Sequence, residues 1–528
     1  MLSGEEIWVR PLLLLPAIVP ILVLGQTNPI LAPYDQPYRP QYHFSPHEHW
    51  TNDPNGPVYF EGEYHLFFQY NPFGDTWGHM TWGHAVSPDM VHWEQLPPAI
   101  PEENGIMIFT GSTVVDEENT SGFCTNQKPC LVAVYTGHTP AKNGQPALQT
   151  QNLAFSNDRG RTWTKYSGNP VLDLHMSDFR DPKVFWSQQG ERWVMVVSLP
   201  NDHKVRIYGS KDLRHWSPLS DFGPAGATRG QWECPELFEL PIEGARGETR
   251  WVLKIGLNPG GLQGGSGEQY FIGRFDGTRF VNHNPDSQTL WTDYGKDCYC
   301  SLTFNNPAHG DPTVMIGWMD NWQYAKDLPT SPWRGQMTFP RRLSLRKTPD
   351  GIRLVQMPIE QFHRLEPQET QSTGETGTVE TVNRRLAATS ALTRDRSFHF
   401  TAEIQLGSAQ EVGWRILKNN GNYTVIGYDR KTQKLFFDRT HSGVTTFSKD
   451  FSHRTDAPLV LQDAILRLNV LVDRNSVEIF ADSGQLAMTN LVFPPAGAAG
   501  MEVYAKGGQT GEISAHISRV RSIWATAK

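Results

Sequence analysis

Three segments of the chain repeat one short pattern: Ser87-Pro-Asp-Met-Val-His-Trp93, Ser156-Asn-Asp-Arg-Gly-Arg-Thr-Trp163 and Ser210-Lys-Asp-Leu-Arg-His-Trp216. In each copy an apolar run ends in a Ser-x-Asp turn, and a Trp opens the next run. The Asp of such a turn can accept a hydrogen bond from the backbone N–H two residues further on. The copies lie about 55–70 residues apart, a spacing that predicts radial repetition of four-stranded sheets, as in a β-propeller.

The runs between these turns have the length and content of β-strands. YHLFFQY, RWVMVVSL and QYFIGRF are examples, each rich in aromatic and β-branched residues. About five four-stranded units would fill the chain as far as Arg341. A plain β-sandwich could use the same strands, but it would explain the periodic Trp poorly. We therefore expect a five-bladed propeller over residues 34–345.

The composition and pattern of the sequence change after Leu345. Residues 346–380 are predicted to connect two domains, with one short helix near Pro358 to Leu365 and a polar stretch from Glu366 to Glu380. From residue 381 to 528, alternating apolar runs with a turn about every 8–12 residues predict a β-sandwich. The expected fold class is therefore all-β, with a five-bladed propeller followed by a C-terminal β-sandwich. The second domain offers few convergent carboxylates and is expected to support or bind rather than to catalyse.

The N-terminus carries one strongly apolar stretch, from Pro11 to Gly25. It is short for a membrane span, which needs about 20 residues, and residues 1–25 are therefore predicted to be a secretory signal peptide. Glu5 and Glu6 offset Arg10 in its flank, and a retained anchor is the alternative. The mature protein is expected to be extracellular, or periplasmic in a bacterial host, and free of the membrane once the signal is removed.

Composition excludes some classes of partner. The net charge of −8, from 47 basic and 55 acidic residues, leaves no basic footprint for nucleic acid. Five cysteines are too few for a disulfide scaffold, and no CxxC metal pair occurs. Cys124 and Cys130 could pair across one loop, whereas Cys298 and Cys300 are too close in sequence for an easy mutual bridge.

Three acidic residues lie within distinctive short motifs, each followed closely by a proline. Asp53 lies in Trp50-Thr-Asn-Asp-Pro-Asn-Gly56, Asp181 in Phe179-Arg-Asp-Pro182, and Glu233 in Trp232-Glu-Cys-Pro235. The first segment alone would also suit a hairpin turn. The first strand of each propeller blade lines the central channel, so the three acids could converge there. Two carboxylates in one cleft can cleave a glycosidic bond, since one attacks the anomeric carbon while the other protonates the leaving oxygen.

Together with Phe67-Phe-Gln-Tyr-Asn-Pro72, Phe109-Thr-Gly-Ser112 and Pro332-Trp-Arg-Gly335, these motifs resemble glycoside hydrolase family 32. That family contains the invertases, exo-inulinases and levanases. The resemblance runs from about Tyr34 to the C-terminus, and Asp473-Arg-Asn-Ser-Val-Glu-Ile-Phe480 resembles a signature of the family's C-terminal sandwich.

The resemblance implies a retaining mechanism that uses no metal and no cofactor. Asp53 would be the nucleophile, Glu233 the acid that becomes the base, and Asp181 a stabiliser of the transition state through fructose hydroxyls. The residues that would line the pocket for the terminal fructose are Asn52, Gln69, Trp77, Ser112, Arg180 and Trp333. Retention requires the Asp53 and Glu233 carboxyls to lie about 5–5.5 Å apart.

The sequence departs from the family pattern at Thr51, at Glu236 and at the segment from Asp297 to Ser301. Glu236 is expected to face away from Glu233, because side chains alternate along a strand. Two other signals carry no chemistry. His47-Glu-His49 lacks the HExxH spacing for zinc. The glycine-rich stretch from Asn258 to Gly267 lacks the Lys-Ser/Thr of a P-loop and is expected to be a mobile loop near the pocket.

We predict a secreted, exo-acting β-fructofuranosidase that releases terminal fructose from inulin, levan and sucrose. The stretch from Gly317 to Arg341 looks closer to exo-inulinases and levanases than to plant or yeast invertases. A fructosyltransferase, which resolves the intermediate with a sugar hydroxyl instead of water, is one alternative. A silent fructan-binding protein is the other, but the intact Asp53, Asp181 and Glu233 argue against it. The oligomeric state is not predicted.

Overall fold

The computed structural model describes Met1 and residues 34–308, 310–367, 375–387 and 390–524. The predicted signal peptide, apart from Met1, lies outside these residues. From Tyr34 onward the chain forms one compact unit. Within the described part, no helix is both long enough and apolar enough to cross a membrane.

Five antiparallel sheets follow one another along the first part of this unit. Blade 1 holds β1 (His49–Phe60), β2 (Glu63–Asn71), β3 (Thr81–Ser87) and β4 (Glu94–Ile100). Blade 2 holds β5 (Met107–Asp116), β6 (Cys130–Thr139), β7 (Leu148–Ser156), β8 (Thr164–Lys165) and β9 (Leu172–Met176), of which both β8 and β9 pair with β7. Blade 3 holds β10 (Arg180–Ser187), β11 (Arg192–Leu199), β12 (Lys204–Ser210) and β13 (Ser217–Phe222).

The last two blades have the same plan. Blade 4 holds β14 (Gln231–Pro241), β15 (Thr249–Asn258), β16 (Gly267–Phe275), β17 (Phe280–Asn282) and β18 (Leu290–Trp291), of which both β17 and β18 pair with β16. Blade 5 begins with β19 (Tyr299–Thr303) and β20 (Val314–Trp318). The chain then contributes β21 (Trp333–Arg334), which pairs in parallel with β1 of blade 1, and returns for β22 (Arg341–Thr348) and β23 (Gly351–Pro358) of blade 5.

The first strands of the five blades form a ring around the central channel. Each of β1, β5, β10 and β14 contacts the first strand of the next blade, and β19 closes the ring on β1. At the closure, the Asn305 backbone N–H donates to Pro57 O at 2.8 Å, and the Tyr59 N–H donates to Asn305 O at 3.0 Å. The prediction of a five-bladed propeller is confirmed.

The repeated turns form the hydrogen bonds that the sequence predicts. Asp89 Oδ1 accepts from the backbone N–H of Val91, two residues on, at 3.0 Å, and Asp212 Oδ1 accepts from Arg214 at 3.0 Å. The second copy is one residue longer. There the backbone passes through a left-handed conformation at Gly160, with φ +77°, and Asp158 instead accepts from Thr162 at 2.9 Å.

Two sheets form the C-terminal sandwich, as predicted. The six-stranded sheet contains β24 (Glu375–Gly377), β25 (Phe398–Gln405), β30 (Ile465–Asp473), β31 (Ser476–Ala481), β32 (Leu486–Leu491) and β34 (Ile513–Arg519). The five-stranded sheet contains β26 (Glu411–Asn419), β27 (Asn422–Asp429), β28 (Lys434–Asp438), β29 (Arg454–Pro458) and β33 (Gly500–Lys506). Two short helices, α1 (Val379–Leu386) and α2 (Ser390–Thr393), precede β25.

The segment between the domains is shorter than the predicted 346–380. The turn at Thr348 to Gly351 joins β22 to β23 within blade 5, so the propeller continues to Pro358 and the connecting segment begins after it. Next comes a 3-10 helix at Glu360–Leu365, where the sequence predicts one short helix.

Buried ion pairs join the two domains. His43 lies between two carboxylates of the sandwich, 2.9 Å from Asp473 and 2.8 Å from Glu478. Arg341 of the propeller donates to Glu478 at 2.5 Å and to Asp293 at 3.0 Å. The signature motif of the C-terminal domain therefore contacts the propeller.

Candidate active site

All five first strands lose their regular register at the same level of the channel. The pairing of each first strand with its neighbour skips two residues, at Thr51/Pro54, Ile108/Gly111, Arg180/Lys183, Glu233/Glu236 and Tyr299/Leu302. Such irregularities re-aim side chains and are common beside active sites. Three residues inside them have a left-handed backbone: Asp181 with φ +67°, Cys234 with φ +50° and Cys300 with φ +45°.

Asp53 has one satisfied and one open oxygen. Its Oδ2 accepts a hydrogen bond from the Thr110 hydroxyl at 2.7 Å, whereas its Oδ1 has no hydrogen-bond partner among the described residues. Burial raises the pKa of Asp53 to about 7, the Thr110 hydroxyl and the Asn52 side chain oppose this rise, and the nearby Glu233 adds to it. Oδ1 is buried but unpaired, so its hydrogen-bonding capacity remains available for a ligand.

Glu233 is held by donors on two sides. Arg180 donates to Oε1 from Nη2 at 2.9 Å and from Nε at 3.1 Å, and the Tyr299 hydroxyl donates to Oε2 at 2.5 Å. Burial, followed by the Glu233 charge, raises the pKa of Tyr299 well above its usual value, so the hydroxyl keeps its proton. Arg180 is itself fixed by Asp178 at 2.8 Å and Gln231 at 2.6 Å.

Asp181 completes the acidic cluster. Its Oδ2 accepts from the backbone N–H of Cys234 at 2.9 Å. Burial raises the pKa of Asp181 to about 7, Arg180 opposes this rise, and both Glu233 and Asp53 add to it. The structure therefore brings the three predicted acids into one electrostatically coupled cluster, although they lie on three different blades.

A disulfide that the sequence did not predict joins two strands of this cluster. Cys234, next to Glu233, is bonded to Cys300, next to Tyr299, with a Cα–Cα distance of 5.4 Å. The Cys234 sulfur lies 4.0 Å from Asp53 Oδ2. By distance, Asp53 with these two sulfurs could hold a metal ion, but a disulfide offers no thiolate. Cys124 and Cys130, for which the sequence left pairing open, form a second disulfide.

Three more of the predicted pocket residues lie in blade 1, on β1, on β2 and in the loop between β2 and β3. Asn52 is buried and accepts a hydrogen bond from Trp50 Nε1 at 2.8 Å. Gln69 is buried and donates to Ile108 O at 3.0 Å. Trp77 is 45% exposed, and its ring lies 6.1 Å from that of Phe109.

The other two predicted pocket residues, Ser112 and Trp333, are buried. Ser112 Oγ accepts the backbone N–H of Val184 in blade 3 at 2.9 Å, and it is Thr110, two residues earlier, whose hydroxyl contacts Asp53. Trp333 is 0% exposed, with the Arg39 guanidinium 3.7 Å from the centre of its ring, and its Nε1 has no hydrogen-bond partner among the described residues.

Trp322 is an aromatic residue beside this cluster that the sequence motifs do not single out. It is partly exposed and stacks on Trp50, with ring centroids 5.9 Å apart. Trp50 belongs to the same apolar cluster as Cys234, Tyr299 and Cys300. The stretch from Gly317 to Tyr324 contained the signal, but nothing in it separates Trp322 from the buried Trp318.

One expectation about a neighbouring segment needs revision, and so does the argument behind a second. The glycine-rich stretch from Asn258 to Gly267 is held in place, because Lys296 Nζ donates to Gln263 O at 2.8 Å and Gln263 Nε2 donates to Asp456 O at 3.1 Å. Glu236 is fully buried and ion-paired with Lys183 at 3.0 Å. The alternation argument does not apply to Glu236, since the register shift lies between it and Glu233.

Comparison with known proteins places both domains in one family. Profiles for the N-terminal and C-terminal domains of glycosyl hydrolases family 32 match residues 43–358 and 363–521. A levanase of Bacillus subtilis (strain 168) is 43% identical over 93% of this chain and 72% of its own length. An extracellular exo-inulinase of Aspergillus awamori is 40% identical over 93% of this chain and 96% of its own.

Solved structures agree with these sequence matches. The crystal structure of exo-inulinase from Aspergillus awamori superposes with a TM-score of 0.84 at 37% identity, covering 93% of this chain and 100% of its own. A fructofuranosidase from Schwanniomyces occidentalis complexed with fructose superposes with a TM-score of 0.79 at 33% identity, covering 92% and 98%. The chain belongs to glycosyl hydrolases family 32 and is a glycosidase.

Proposed function

We propose that this enzyme releases terminal non-reducing β-D-fructofuranosyl residues from levan, inulin and sucrose, with retention of configuration. The observation that carries the proposal is the open oxygen of Asp53 in one cluster with Glu233, which Arg180 and Tyr299 hold by hydrogen bonds. The relatives named levanase and exo-inulinase supply the substrate class.

Asp53 acts as the nucleophile in the first step. Its Oδ1 forms a bond to the anomeric carbon of the terminal fructose as the bond to the leaving oxygen breaks, and Glu233 gives its proton to that oxygen. The product of this step is a fructosyl ester of Asp53. Thr110 holds Oδ2, so that Oδ1 is the oxygen presented to the sugar.

Water completes the reaction. Glu233, now a carboxylate, takes a proton from a water molecule that attacks the anomeric carbon and releases Asp53. Asp181 accepts hydrogen bonds from fructose hydroxyls as positive charge develops on the ring. Asn52, Gln69, Thr110 and Arg180 surround the terminal fructose, with Trp77 and Trp322 at the mouth.

The comparison of initial rates on sucrose, inulin and levan tests this proposal. We expect fructose as the first product from all three substrates, and no turnover by Asp53→Asn. Release of internal oligosaccharides before fructose would contradict exo action. Product analysis at high sucrose separates hydrolysis from transfer, since a fructosyltransferase would accumulate oligofructosides.

Secretion is part of the proposal. It rests on the predicted signal peptide at residues 1–25 and on the extracellular relative from Aspergillus awamori. N-terminal sequencing of the protein recovered from culture medium should begin after residue 25. Recovery of the full-length chain from the membrane fraction would instead indicate the retained anchor.

A further inference from the structure

A second concave site lies at the end of the propeller channel opposite the acids. It is a cavity of about 660 Å³, within the size range of small-ligand pockets. Its walls come from the far ends of the first strands, at Val115, Phe185, Phe238 and Phe304. On β10, Phe185 follows Asp181 by four residues, which corresponds to roughly 13 Å along a strand.

A layer of bonded polar groups closes the channel between the two sites. Asn305 Nδ2 donates to Thr113 O at 2.8 Å and to Val184 O at 3.0 Å, and so joins three blades. Beside it, Lys183 donates to Thr303 O at 2.7 Å and is ion-paired with Glu236. A ligand in the far cavity is therefore separated from Asp53 and would not be cleaved there.

Aromatic rings form much of the cavity wall. Phe185, Trp186 and Trp251 are each half-buried, so part of every ring is accessible. The Phe185 and Trp251 centroids lie 5.7 Å apart with an angle of 36° between the rings. Trp186 packs edge-on against the buried Trp193 at 5.2 Å, which fixes its orientation. Rigid, partly exposed indoles bind the apolar C–H faces of sugar rings.

The charges around the cavity exclude anionic ligands. Glu118 and Glu239 are exposed at its mouth together with the amides of Gln188 and Asn306. Lys183 is the basic residue of the lining, and Glu236 already neutralises it. Phosphorylated or acidic ligands would thus meet net negative charge, whereas carboxylates and amides can both bond neutral hydroxyls.

We infer that this cavity is a non-catalytic binding site for a neutral carbohydrate, and that it holds part of a fructan chain while the enzyme works on chain ends. Trp186 and Trp251 stack on the sugar rings, and Glu239 and Gln188 bond their hydroxyls. The identity of the sugar as fructan rests on the proposed function. Sucrose, which has no chain to hold, gains nothing from this site.

Calorimetric titration with an inulin oligosaccharide tests the inference directly. In the Asp53→Asn enzyme we expect two binding sites per chain, and in the Asp53→Asn, Trp251→Ala double variant one. Trp251→Phe should keep the second site, and Trp216→Ala, which removes a half-buried indole outside the cavity, should not affect it. A single site in Asp53→Asn would overturn the inference.

Kinetics give an independent readout in the active enzyme. Trp251→Ala should raise the KM for levan and inulin roughly 3- to 10-fold, the range expected for loss of one aromatic contact, with kcat and the KM for sucrose unchanged. Gln188→Ala, an exposed change that leaves the core intact, should act in the same direction. Unchanged KM values for both polymers in both variants would refute the site. Aromatic rings also bind organic cations, so a calorimetric signal with tetramethylammonium but none with the oligosaccharide would refute it as well. Failure of the proposed function would show differently, as a wild-type enzyme that hydrolyses neither sucrose nor polymer.

Discussion

Two groups of buried carboxylates in this protein have pKa values that are shifted in opposite directions. In the active site, burial raises the pKa of Asp53 and of Asp181 to about 7. At the contact between the domains, Asp473 and Glu478 are 0% exposed, yet the pKa of each lies below its usual value. Burial raises the pKa of the carboxyls in both groups, so burial does not explain the difference between them.

The difference lies in how the oxygens are satisfied. Asp473 accepts hydrogen bonds from Ser397, from His43 and from the backbone N–H groups of Gln41, Tyr42 and Arg474. Asp53 accepts one from Thr110 and keeps an open oxygen. A buried acid surrounded by donors holds the fold together, whereas a buried acid with an open oxygen is available for chemistry.

Asp53→Asn should give the largest loss of activity and no loss of stability. Without the nucleophile, kcat on sucrose should fall on the order of 10⁴-fold. The wild-type carboxylate is an acid with a raised pKa, so its charge destabilises the fold increasingly as pH rises from its usual value near 3.8 through about 7. The Tm of the variant at neutral pH should therefore equal or exceed that of wild type, and a lower Tm would contradict the comparison.

Asp473→Asn should show the reverse. Removing one partner from a buried ion pair costs about 3–5 kcal/mol, because the other partner is left uncompensated. We expect the free energy of unfolding in urea to fall by that amount, while the folded fraction keeps its kcat. Asp221→Asn, which breaks an exposed pair with Arg206, is the matched control and should cost about 1 kcal/mol or less.

The domain contact should weaken at both ends of the pH scale. Burial lowers the pKa of His43, but its hydrogen bonds to the Asp473 and Glu478 carboxylates, together with their negative charges, outweigh this effect and raise the pKa to about 9. The stability from His43 is thus present below about 6.5 and is lost as pH rises through about 9. The stability that Asp473 contributes is present above pH 3.8, the usual pKa of an Asp carboxyl, and is lost as the pH falls below that value. The Tm should decline on both sides, and His43→Gln should remove the alkaline decline.

Thr110→Val should have a smaller effect, confined to the active site. It removes the hydrogen bond to Asp53 Oδ2, and bonds to charged groups contribute about 1.5–3 kcal/mol, so kcat/KM should fall roughly 10- to 100-fold. The acidic limb of the pH profile should also move to higher pH, because this bond lowers the pKa of Asp53. Ser112→Ala is the control, and an equal loss of kcat/KM in that variant would indicate that Ser112 lines the pocket.

Removal of the disulfide between Cys234 and Cys300 should have the smallest effect on activity. It ties the strands that carry Glu233 and Tyr299, so replacing both cysteines with Ser should loosen the hydrogen bond between these two residues. We expect kcat to fall about 10-fold with little change in KM, since slight misplacement of a reacting group is costly. The double variant of Cys124 and Cys130, which removes a disulfide on an outer loop, should keep its kcat.

The sequence predicted the architecture and the three acids because both depend on local patterns. The Ser-x-Asp turns mark blades 1, 2 and 3, and short motifs mark Asp53, Asp181 and Glu233. It did not predict which hydroxyl reaches Asp53, because the register shift in β5 breaks the alternation between Thr110 and Ser112. Contacts between residues distant in sequence were also missed. Cys234 and Cys300 lie 66 residues apart, and Arg39, from ahead of the first strand, covers Trp333.

The most direct test of the account is the site of the covalent intermediate. Wild-type enzyme would be mixed with sucrose, quenched in acid within milliseconds, digested and analysed by mass spectrometry. We predict one fructosyl group on the peptide that contains Asp53, and none on the same peptide of Asp53→Asn. A fructosyl group on the Glu233 peptide, or no adduct together with inversion at the anomeric carbon, would contradict the assignment of Asp53 as the nucleophile.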